Sequence, residues 1–180
     1  PPTHDLGATL LEVLLVAALV LIVAGLATPM AGAAIDSERT RQAATFIAER
    51  FRHARQQAVT GSASVGVVFD VADGQSLVRI CVDGNGDGVR RAEIQSGQDI
   101  CVEGPFDLNV LFPGVRIAVD AGLRGPDGEP GSADAVRFGR SELASCASSG
   151  TSTSGSLFLR SANGTQYVVR VAGVTARTRI

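Results

Sequence analysis

Lysine is missing from this chain altogether, and all 16 of its basic residues are arginine. That bias follows base composition as readily as guanidinium chemistry, so alone it carries no function. Histidine is nearly missing too: His4 and His53 stand far apart with no acid–base partner in view. The chain also lacks Gly-x-Ser-x-Gly, a phosphate loop and a zinc-type cluster of His and Cys, so it is not read as an enzyme. A net charge of −2 excludes a protein that is strongly electrostatic as a whole toward nucleic acid or membrane surfaces. Finally, residues 13–35 hold no charge of either sign.

That uncharged run is the first positive feature. As a helix it would reach about 35 Å, enough to cross a hydrocarbon core of ~30 Å. Its only acid is Glu12, at the edge of the run, and an ionised acid inside a bilayer costs about 3 kcal/mol on insertion scales. A secretory signal peptide ending at Ala31-Gly32-Ala33 is one alternative, but residues 1–12 lack the basic stretch it needs. An ordinary anchor with Glu12 hydrated at the interface is another, and periodicity alone leaves it open. From residue 36 the texture turns amphipathic: Ala43, Ile47, Phe51, Ala54 and Ala58 recur at helical spacing, which predicts one helical face meant for a sheet. With only Gly25, Pro29 and Gly32 to interrupt it, one long helix is expected to end near Thr60-Gly61.

Beyond Gly61 short β-branched runs alternate with turn residues. They predict strands at 64–71, 75–82, 99–103, 108–112, 115–119, 135–138, 156–160, 166–172 and near 175–179. Asn163-Gly164 between alternating runs predicts a hairpin. Segments 124–133 and 143–155 read as exposed loops, with Cys146 a loop thiol. The fold class is therefore α+β: a long N-terminal, transmembrane α-helix followed by an antiparallel β domain.

The stretch Gly7-Ala8-Thr9-Leu10-Leu11-Glu12-Val13-Leu14, with its apolar continuation and Pro29, resembles the processing signal of type IV pilins and type II secretion pseudopilins. The resemblance implies cleavage after Gly7 by a prepilin peptidase, methylation of the new N-terminus at Ala8, Glu12 as the fifth mature residue and a helix kink at Pro29. Two departures stand out: Ala8 where the family usually has Phe or Met, and a leader with only His4 and Asp5. Because the chain starts at Pro1, the leader is expected to be incomplete. The layout is similar to the GspH/FimT branch of minor pseudopilins, in which paired sheets or a sandwich pack on the helix. Gly155-Ser156-Leu157-Phe158-Leu159 and Ala176-Arg177-Thr178-Arg179-Ile180 match that branch's ending more loosely.

The resemblance thus implies a leader at 1–7, a transmembrane helix at 8–35, an amphipathic continuation at 36–61 and a periplasmic β domain at 62–180. It implies a single-pass protein of the bacterial inner membrane whose partners are other pilins in a secretion pseudopilus or pilus, with Glu12 pairing to the amine of Ala8 on a neighbouring subunit. A plain membrane-anchored β domain is the alternative that an uncleaved Gly7 would mark. No cofactor is required.

Three constellations remain. Cys81 and Cys101 lie in strand-like runs flanking a turn-rich loop, which favours a disulfide over two reduced buried thiols. Asp83-Gly84-Asn85-Gly86-Asp87-Gly88 opens like a calcium loop, with Asp83, Asn85, Asp87 and Glu93 as the candidate ligands. Ile94 nevertheless occupies the position of the closing Glu, and a glycine-rich turn without an ion is the alternative. Arg160, Arg170, Arg177 and Arg179 make the C-terminal quarter basic. In the FimT-like members a related Gly-Arg-x-Arg binds DNA, which implies a DNA role for Arg177 and Arg179. A charged strand edge that resists aggregation is the other reading.

Overall fold

The computed structural model describes residues 9–72, 74–120, 122, 134–139, 142–175 and 177–180, with the backbone alone for 26–31. Gly7, Ala8, Ala176 and the side chain of Pro29 lie outside the described residues. Helix α1 runs Leu10–Gly61 and ends where the glycine suits a stop. The chain divides into two compact units, Pro1–Ile35 and Asp36–Ile180.

Among the described residues of the first unit the large apolar side chains of α1 are all at least half exposed, from 51% at Ile35 to 81% at Leu10. Among the described residues, however, no helix is long and apolar enough to cross a membrane. The expected single-pass inner-membrane anchor, and the periplasmic placement deduced from it, are corrected accordingly.

In the second unit α1 buries the predicted stripe. Ala43, Ile47, Phe51, Ala54 and Ala58 are all buried, and Ala44 and Ala48 widen the face. So many alanines remove side-chain bulk and let the helix backbone come close to the strands it covers. Strands β1 (Val65–Ala72), β2 (Gln75–Val82), β3 (Ile100–Asp107) and β6 (Leu143–Cys146) form one antiparallel sheet, ordered β3-β2-β1-β6. The second sheet orders β4 (Val115–Ile117), β7 (Gly155–Ser161), β8 (Gln166–Ala172) and β9 (Arg177–Arg179), with β5 (Val136–Phe138) also on β7. Phe51 of α1, Phe69 of β1 and Phe138 of β5 meet with ring centroids 5.4 to 6.0 Å apart. One aromatic cluster therefore ties the helix to both sheets.

β4 and β5 occupy the same side of β7. Val115, Arg116 and Ile117 face Ser161, Arg160 and Leu159, while Val136, Arg137 and Phe138 face Leu157, Ser156 and Gly155. Phe158 between them receives a bond from the Ala118 N–H and donates its own N–H to the Ala135 carbonyl.

Three local expectations need correcting, and one element is new. Residues 108–112 form helix α3 (Leu108–Leu111) rather than a strand, because the Asp107 carboxylate accepts the Asn109 N–H and caps a helical turn. The loop expected at 143–155 contains β6, whose small residues Ala144, Ser145 and Cys146 hide its alternation. Cys146 is accordingly buried on a strand, and burial pushes its thiol up to about 11. A short helix α2 (Arg91–Ser96), closed by left-handed Gly97, was not foreseen.

Candidate functional site

The first candidate site lies at the start of α1. Thr9 precedes the helix, and its carbonyl and hydroxyl both accept the Glu12 N–H, at 3.0 and 3.3 Å. Thr9-Leu10-Leu11-Glu12 is therefore the capping pattern Thr-x-x-Glu, a signal legible in the sequence and missed there. Glu12 also sits in the first helical turn, where the macrodipole favours an acid. Its side chain is exposed beside Leu11, Leu15 and Val16, so the carboxylate is available to a partner that covers this apolar surface.

The second candidate, the loop after β2, is held by carboxylates. One Asp83 oxygen accepts the N–H groups of Asn85 and Gly86 at 3.0 and 2.7 Å, and the other that of Gly88 at 2.8 Å. Burial raises the Asp83 carboxyl, but these backbone donors outweigh it and hold it below the usual range. Asp99, only 2% exposed, closes the loop from the far side by accepting the N–H groups of Gly84 and Arg90. Asp87 pairs with Arg90, and Glu93 accepts from Asn85 and Arg90. Burial and then the Asp87 charge push the Glu93 carboxyl up. Asp83, Asn85, Asp87 and Glu93 are thus engaged with neighbouring N–H groups. Among the described residues no group of three or more His, Cys, Asp or Glu is placed to hold a metal ion. The neighbouring cysteines are joined: Cys81 and Cys101 face each other across β2 and β3 and form the expected disulfide.

His53 has a partner that sequence distance concealed. Its Nδ1 lies 3.1 Å from Glu103, which also receives Arg50 at 3.0 Å and Gln57 at 3.2 Å. Arg50 is stacked over Phe46 and Phe106. The cluster fastens α1 to β3 and presents no nucleophile.

The third candidate is the outward face of the second sheet. Register places Arg137, Ser156, Arg170 and Arg179 in one row across β5, β7, β8 and β9. Arg116 and Arg160 face one another in a second row, and Arg177 projects from β9 opposite Ala172. These strands carry six arginines and no acid. Arg160 reaches Asp120 at 3.0 Å, and Arg137 lies over the buried Phe158 ring at 4.5 Å. Among the described residues Arg170, Arg177 and Arg179 have no ion pair; with Gly155, Ala172 and Thr175 they line a cleft of about 480 Å³.

Comparison with known proteins finds no match. No family model matches the chain, and neither a curated protein nor a solved structure matches it. The site has to be read from its own chemistry. Arg116 and Arg137 were missed in the sequence, although Val115-Arg116-Ile117 and Val136-Arg137-Phe138 each read apolar–Arg–apolar. What the sequence hides is that both triplets flank the same strand.

Proposed function

We propose that this chain is a structural subunit of a pilin-like filament, a minor pilin or pseudopilin, rather than a catalyst. The observation that carries the reading is the exposed apolar surface of α1 from Leu10 to Val23, broken only by the single carboxylate of Glu12. So large an exposed apolar area marks an interaction surface. Burying a Leu or Val side chain stabilises by about 1.5–3 kcal/mol, so packing this helix against copies of itself supplies a driving force for assembly. The resemblance at Gly7, Glu12 and Pro29 supports the same reading. Cleavage after Gly7 would expose an amine on Ala8, and that amine on one subunit would neutralise Glu12 on the next. Such pairing offsets the cost of burying Glu12 among apolar helices.

Two measurements test this. Mass spectrometry of the chain isolated from its own cell is expected to show Ala8 as the N-terminus, and an uncleaved Gly7–Ala8 bond would count against processing. Sedimentation of the full chain is expected to show large assemblies that Leu15→Ser with Leu19→Ser disperses, while far-UV circular dichroism stays unchanged. Glu12→Ala should abolish ordered assembly, and normal filaments from that variant would remove the pairing.

A further inference from the structure

The rim of the second sheet holds a feature that filament packing by α1 does not use. β9 is the last strand of the order β4-β7-β8-β9, so its outer edge has no strand partner among the described residues. Both edges of the first sheet are blunted. β3 carries Pro105 and two register shifts, and β6 is capped by the Cys146–Ser152 bridge and the Thr153 N–H to Ser145 carbonyl bond. β9 has neither device. It offers exposed Arg177 and Arg179 on one side, with Arg170 opposite Arg179, all bordering the cleft floored by Gly155 and Ala172.

We propose that this edge is a docking site for an extended, acidic segment of a partner protein, which adds to β9 as a further strand. Three observations favour that occupant. Free backbone groups on an edge strand pair with another extended chain. Alternate residues of a strand repeat every ~6.8 Å, so Arg177 and Arg179 match carboxylates at alternate positions of an added strand. The arginines also have no acid of their own to satisfy them. A nucleic acid fits less well: among the described residues of this face the one aromatic ring, Phe158, is buried beneath Arg137, which leaves nothing for bases to stack on.

The test uses the full chain and fluorescence anisotropy. The probes are a labelled decapeptide with Glu at alternate positions among Thr and Val, the same peptide with Gln for Glu, and a DNA duplex of about 20 base pairs. At about 50 mM salt the acidic peptide is expected to bind, and its Gln counterpart at least tenfold more weakly. Arg177→Gln with Arg179→Gln should cost at least tenfold, and N-methylation of the peptide's alternate amides should weaken binding comparably, because it removes strand pairing. Amide exchange at 177–179 should slow on binding. The proposal is overturned if no acidic peptide binds, if the two peptides bind alike, if N-methylation is without effect, or if the duplex binds more tightly through the same arginines. These readouts do not depend on Glu12 or on self-assembly, so the filament reading stands or falls separately.

Discussion

Asp83 shows how one carboxylate can organise a loop. Its oxygens accept three backbone N–H groups, and hydrogen bonds to a charged group contribute about 1.5–3 kcal/mol each before non-additivity. Asp83→Ala is therefore expected to destabilise by roughly 3 kcal/mol in denaturant titration. Asp70 behaves similarly. Burial raises its carboxyl, but Arg91 at 2.7 Å and Arg79 overcome this and hold it low. Folded values below the unfolded ones mean that this stability is complete above the ordinary carboxylate range, about 3.9, and is lost as pH falls through the lowered folded values. Stability measured between pH 5 and 2 should therefore decline, and Asp83→Asn should flatten the decline; an unchanged slope would contradict the assignment.

Thiol chemistry gives a second check at this scale. Cys81 pairs with Gly66 and Cys146 with Val65, adjacent residues of β1, so the two sulfurs lie on opposite faces of the sheet. Without reductant, the native chain should show no thiol reactive to a disulfide reagent, and the unfolded chain one. Two or three in the unfolded chain would disprove the Cys81–Cys101 bond.

At the scale of elements, the Phe51, Phe69 and Phe138 cluster is the joint between α1 and the two sheets. Phe51→Ala should cost about 3–5 kcal/mol, read from the denaturation midpoint. Gly155→Ala should also destabilise, because an added Cβ meets the Arg137 carbonyl and the Phe138 ring. Much of this scale was legible in advance. The helical stripe from Ala43 to Ala58, the strands at 75–82 and 166–172 and the Asn163-Gly164 turn all stand where residue patterns put them. The failures share a cause: short elements decided by one tertiary or capping contact. Asp107 turns Leu108–Leu111 helical, and pairing with β1 makes a strand of Ser145 and Cys146. The basic face was half visible as a C-terminal cluster. Its breadth depends on Arg116 and Arg137 joining β7 from a distant part of the chain, which no local pattern encodes.

For the whole molecule, the exposed apolar side of α1 and the arginine face of the second sheet are separate surfaces in separate compact units. Substitutions in one should leave the other's readout unchanged: Leu15→Ser with Leu19→Ser should disperse assemblies without altering peptide binding, and Arg177→Gln with Arg179→Gln the reverse.

The row formed by β4 and β5 also bears on how this chain can vary. Ala118 and Ala135 both bond to Phe158, so the chain departs and returns at a single rung of what is otherwise one strand along β7. β4 and β5 therefore hold their places on β7 through separate sets of hydrogen bonds. A perturbation at one half, such as Gly155→Ala beside β5, should accordingly leave the rungs of the other half in place.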